Sequence, residues 1–180
     1  MKKQTQKMVK ELEEQREEIL RLYQELKPSQ RAFSPAPHKW NLLQVLRHLV
    51  TAEIQSVAYI NKKLKSRSGI PEAGIGSYLR NLLLKTALKL PFRFEAPKIA
   101  EVKDKHPDFE TMISEWDTVR KGIQKLIEQS DEATLARALY RHPKAGMLNM
   151  KQFMEFIEVH IAHHQKQMKR IMKHPSFPAE

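Results

Sequence analysis

Apolar residues recur along much of the chain at intervals of three and four, the spacing that lines one face of a helix and leaves the rest to solvent. Met8, Leu12, Ile19, Tyr23 and Leu26 form the first stripe and predict a helix over residues 4–27. Pro28 ends it, because proline disfavours a helical residue before it. Residues 28–40, with Pro28, Pro35 and Pro37, read as a loop that stops at Trp40. Asn41 then stands as an N-cap, with Gln44 three residues later at the capping-box spacing. A second helix follows over residues 42–65 on Leu42, Val45, Leu49, Ala52, Val57 and Ile60, closed by Gly69 and Pro71. Asp108 caps a third over residues 109–129, carried by Phe109, Met112, Ile113, Trp116, Val119, Ile123 and Leu126. Asn149, with Gln152 in the third position, caps a fourth over residues 150–173, which His174-Pro175 ends.

Between these helices the pattern is less regular. Gly74, Gly76, Pro91, Pro97 and Pro107 punctuate residues 69–107. A connection this long rarely lacks structure of its own, and a shorter helix is predicted over residues 78–90, with Leu79, Leu82, Leu83 and Ala87 on one side. The segment reads as a crossover between the second and third bundle helices. Its Leu cluster is expected in the core or in a dimer; a helix over residues 78–93 lying on a membrane surface is the alternative. Residues 130–149 hold a short helix, over 131–139, and a loop, RHPKAGML. No strand pattern persists. Four long helices with a long second connection predict an all-α fold, a four-helix bundle in a single domain over residues 1–180.

Composition narrows the chemistry. The chain has 180 residues, enough for one domain with a real core. It has no Cys, so disulfides, Cys-based zinc sites, iron–sulfur clusters and thiol nucleophiles are excluded, and any metal must sit on His and carboxylates. The longest apolar stretch, Leu82–Leu84 with Ala87-Leu88, is broken by Lys85, Thr86 and Lys89 and is too short to span a bilayer. The first residues are charged throughout and lack the apolar core of a signal peptide, so a cytoplasmic location is expected. The formal charge of +11 raises nucleic acid or an anionic membrane surface as a partner. The basic clusters Lys62, Lys63, Lys65, Arg67 and Lys166, Lys169, Arg170, Lys173 lie at helix C-termini, where cations complement the helix dipole. No basic stretch is interleaved with aromatic residues, so nucleic acid is not the expected partner.

Eight His residues remain to be placed. His106, His142 and His174 each precede Pro and belong to extended loops or helix ends, and His38 lies in the Pro-rich loop. His160 and His164, four apart, project from one face of the fourth helix, on the stripe Phe153, Ile157, His160, His164, Met168 and Ile171. His48 lies on the inner stripe of the second helix between Val45 and Ala52. Three unpartnered imidazoles in a core are costly, and a divalent metal relieves that cost. Three His ligands leave a fourth position open, which is the arrangement of a catalytic site. The zinc-protease motif H-E-x-x-H is excluded, because Ile161 stands where its general base would be.

Trp40 through Leu49, WNLLQVLRHL, resembles the opening of the second helix in the DinB-like (YfiT-like) proteins. Arg141-His142-Pro143, Gly146, Leu148, Gln152, Phe156, His160, His163, His164 and Gln167 are similar to that superfamily's second signature. The two motifs stand in the family's order, and the resemblance covers the whole chain. It implies a four-helix bundle, a homodimer, and a divalent metal, zinc or nickel, on His48, His160 and His164. Some members are S-transferases that use low-molecular-weight thiols such as bacillithiol, mycothiol or glutathione. Members with an acidic residue directly after the first His of the pair differ from this chain, which has Ile161 there.

Of the neighbours, His163 reads as a half-exposed helix residue or as a hydrogen-bonding support for the site. Gln167, three residues past His164, reads as its orienting partner or as a surface residue. Trp40 is expected at the mouth of the bundle, and Glu53, five residues past His48, points away from the site. The functional expectation is a metal-dependent enzyme acting on a small molecule through a small thiol. A metal-dependent hydrolase on the same residues and a basic non-catalytic binding protein are the alternatives.

Overall fold

The computed structural model describes residues 1–66, 69–90, 102, 104 and 106–179. Seven helices are present among them: α1 (Lys2–Glu25), α2 (Pro28–Arg31), α3 (Leu42–Lys65), α4 (Ile75–Lys89), α5 (Phe109–Gln129), α6 (Glu132–Ala136) and α7 (Met150–Met172). A two-stranded antiparallel sheet pairs β1 (Tyr140–His142) with β2 (Gly146–Leu148) in the register Tyr140 with Leu148 and His142 with Gly146.

The four long helices close a ring. α3 packs on α5, α5 on α1, α1 on α7, and α7 on α3, so α1 and α3 lie across a diagonal, as do α5 and α7. This is the helical bundle that the stripes predict. Each stripe points inward: Leu12, Ile19 and Tyr23 from α1, Leu42, Leu46, Leu49 and Ile60 from α3, Met112, Trp116 and Ile123 from α5, and Phe153 from α7 are among the most deeply buried side chains. The Tyr23 hydroxyl donates to the Leu42 carbonyl at 2.6 Å, tying the end of α1 to the start of α3.

Local chemistry sets the helix starts. Asn41 accepts from the Gln44 amide while Gln44 Oε1 accepts from Asn41 N, a reciprocal pair that satisfies two amides left over by the helix. Asn149 and Gln152 repeat the arrangement at the start of α7. Asp108 accepts from Thr111 N at the start of α5.

Three sequence expectations are corrected. Pro28 does not open a loop: it occupies the first turn of α2, where a missing N–H costs nothing. The RHPKAGML segment is not a plain loop but holds most of the β1–β2 hairpin; Gly146, at φ +71°, supplies a left-handed residue that side chains resist. As part of that same change, the short helix before the hairpin stops at Ala136 instead of running to residue 139.

The third correction concerns α4. It starts three residues earlier than predicted, and its Leu cluster is not in the core. Ile75 is 81% exposed, Leu79 60%, Leu82 57% and Leu83 69%, while Ser77 and Asn81 are buried. The reason lies on α7. Ser77 Oγ donates to Gln152 Oε1 at 2.7 Å, Asn81 Nδ2 to Glu155 Oε2 at 2.7 Å, and Lys85 Nζ to the same oxygen at 2.9 Å. These polar contacts, with Leu88 and Leu84 packed on the core, hold α4 against the bundle, and the side that carries Leu79, Leu82 and Leu83 faces out.

Arg67 of the basic cluster, Pro97 of the crossover and the last three residues of the candidate membrane-surface helix, 91–93, lie outside the described residues. Among the described residues no helix is long and apolar enough to cross a membrane.

Candidate metal centre

His48 from α3 and His160 and His164 from α7 converge inside the bundle. The i, i+4 spacing on α7 stacks His160 and His164 on one face, and the α3–α7 contact brings His48 opposite them. His160 Nε2 lies 3.2 Å from His48 Nε2 and 3.1 Å from His164 Nε2. One nitrogen from each ring falls within 4.8 Å of the others. His48 and His164 are buried and His160 is intermediate.

The contacts of the three rings constrain where their protons sit. Gln167 Oε1 accepts from His164 Nδ1 at 2.8 Å, so the His164 ring carries its proton there and turns a bare Nε2 to its neighbours. His160 Nε2 can carry only one proton, and it faces two other imidazole nitrogens. Hydrogen bonding can therefore satisfy one contact but not both. A cation at the centre satisfies all three. Imidazole nitrogens about 2.0–2.1 Å from a tetrahedral zinc stand roughly 3.3–3.4 Å apart, close to the two short separations here.

The electrostatics agree with the geometry. Burial, and then the neighbouring His48, push the His164 imidazole down to about 3. Burial also holds His160 well below the ordinary range, with His164 and His48 adding to the effect. Both rings are neutral at neutral pH, the state in which imidazole binds a metal. The site can thus hold a metal ion on one nitrogen from each of the three rings.

Aromatic rings fix the imidazoles. Trp40, expected at the mouth of the bundle, lies with its ring centroid 5.1 Å from that of His48. Phe156 stacks on His160 at 5.2 Å with the planes 20° apart. Gln167 holds His164, as described. His163 turns elsewhere: its Nδ1–H donates to the Leu88 carbonyl of α4 at 3.1 Å, and its ring stands edge-on to His164 at 5.2 Å. Glu53 points away and makes a buried two-pronged ion pair with Arg120 of α5, at 2.7 and 2.8 Å.

His142 is a neighbour of the site that sequence reasoning left in a loop. It is buried at the end of β1, where Nδ1 accepts from the amides of Lys144 and Ala145, both at 3.1 Å. Its ring meets Phe156 edge-on at 4.5 Å, and Phe156 in turn supports His160. Burial pushes His142 down to about 4. The signal was present in Arg141-His142-Pro143, but no helical period pointed it inward.

A family model described as the DinB superfamily matches residues 11–168. No curated protein and no solved structure matches the chain.

Proposed function

The chain belongs to the DinB superfamily, and from that membership and its facing imidazoles we propose that it is a metal-dependent enzyme of small molecules. His48, His160 and His164 are the proposed ligands, and zinc or nickel the proposed metal. The observation that carries the reading is the pair of 3.1 and 3.2 Å separations that bring the three Nε2 atoms together, two contacts that a single proton on His160 Nε2 cannot both serve. When bound, a divalent cation on three neutral ligands keeps its full charge and favours ionisation of a thiol or water at the remaining position.

The chain's own residues supply the setting. Gln167 fixes the His164 tautomer by accepting its Nδ1 proton. Phe156 and Trp40 hold the planes of His160 and His48 and keep apolar surface against them. Neutral imidazoles add no charge that would offset the cation's. Since the chain has no Cys, a sulfur nucleophile must arrive on a small thiol, which makes S-transfer from a low-molecular-weight thiol the proposed reaction. Hydrolysis through the same residues is the second version. A homodimer, as the resemblance implies, and the cytoplasmic location expected from the sequence complete the proposal.

Elemental analysis of purified protein tests the first step. Wild type should carry close to one equivalent of metal, and His160→Ala should lose it. Metal-loaded wild type should then consume a small thiol in the presence of an electrophile, and His48→Ala should not. Equal metal content in wild type and His160→Ala would refute the site.

A further inference from the structure

α4 buries Leu88 and packs Leu84 against the core, yet leaves most of its large apolar side chains outside. At about 100° per residue, Ile75, Leu79, Leu82 and Leu83 fall on one stripe of its surface, with Tyr78 at its edge and Leu90 just past the helix end. All six are exposed. Contiguous apolar surface of this kind, rimmed by polar residues, marks a contact with something other than water. Arg80 lies about 110° to one side of the stripe's centre and Lys89 about 70° to the other, next to Leu82. The helix contains no acidic residue.

The charges packed around α4 are mostly positive. Lys166 Nζ caps its C-terminal end by donating to the Lys89 carbonyl at 3.2 Å. Lys63 lines a groove with Arg80 at the N-terminal end, beside Glu72. Lys85 and Lys151 both lie against Glu155 and offset its charge. The surround is therefore a positive rim about an apolar strip, on a chain of net charge +11.

We propose that α4 is an interfacial helix that seats the protein on an anionic membrane surface. Its Leu side chains enter the boundary between headgroups and acyl chains, and Arg80, Lys89 and Lys166 meet the phosphates. An apolar stripe between basic margins is what such a surface selects. The polar anchors Ser77, Asn81 and Lys85 keep α4 fixed to α7 with its apolar side outward, so docking needs no rearrangement of the bundle. A second copy of the chain is the less favoured occupant, because apposing two such faces brings two positive rims together. The proposal does not depend on metal binding.

Cosedimentation of the full-length protein with phosphatidylcholine vesicles, with and without phosphatidylglycerol, tests it. Binding should be strong to the anionic vesicles, weak to the neutral ones, and reduced by salt. Leu82→Gln/Leu83→Gln should abolish it; both side chains are exposed, so circular dichroism should remain that of wild type. Lys89→Glu/Lys166→Glu should weaken binding to anionic vesicles by at least about tenfold. Three outcomes overturn the proposal: no difference between the vesicle types, undiminished binding by the Leu variant, or a solution dimer that the Leu variant converts to monomer. The last would assign the face to a second copy.

Discussion

Acidifying the metal-free protein should destabilise it well before its carboxylates are protonated. The perturbation is a drop from about pH 7 to about pH 5 in the presence of a chelator. His142 and His164 are pushed by burial from 6.5 down to about 4 and about 3. A histidine whose folded value lies below its unfolded one contributes stability that is complete above the unfolded value. That contribution is lost as the pH falls towards the folded value, because the unfolded chain takes up a proton that the folded chain refuses. For a drop to about pH 5, these values give a loss of about 2 kcal/mol for each of the two groups. His160, also held low, acts in the same direction. Against a total stability of roughly 5–15 kcal/mol, this is a large fraction. The caps Asp108 and Asp131, held below the usual carboxylate range by hydrogen bonds from Thr111 and Thr134, lose their contribution only at lower pH. Urea unfolding followed by circular dichroism at a series of pH values reads the effect directly. The midpoint should fall steeply through the histidine range. A midpoint that holds steady to about pH 5 and drops only in the carboxylate range would refute the reasoning.

Two further substitutions separate the site from its scaffold. Gln167→Ala removes the acceptor of the His164 Nδ1 proton and should weaken metal affinity by about 10–100-fold in a chelator competition, with the melting temperature of the metal-free protein nearly unchanged. Glu53→Gln leaves Arg120 without its carboxylate in the core and should cost about 3–5 kcal/mol in chemical denaturation, while the protein that remains folded still binds metal.

The long helices were legible because their determinants are local. Asn41 with Gln44 and Asn149 with Gln152 set two starts to the residue, since a cap is made by side chains within one turn. The metal candidates were legible for a related reason: His160 and His164 share a face by spacing alone, and His48 lies among Val45, Leu49 and Ala52. What spacing cannot convey is which side of an element meets its neighbours. The Leu stripe of α4 reads as a core face until Ser77, Asn81 and Lys85 find Gln152 and Glu155 on α7. The β1–β2 hairpin was hidden because three-residue strands are too short to alternate visibly. With the hairpin went the position of His142, whose burial depends on a turn and on Phe156 rather than on any period.

His48 and His160 stand 112 positions apart in the chain and 3.2 Å apart in the fold. The proposed ligand set therefore does not exist in any fragment or partly assembled form; it appears only when α3 has met α7. An ion that needs all three nitrogens would act as a staple across most of the polypeptide and would favour the finished structure over every incomplete one. At about a hundredfold excess over its dissociation constant, such an ion adds about 2.7 kcal/mol to the native state. Occupancy would then report on whether the chain has completed its folding, and the supply of metal would set what fraction of molecules is folded.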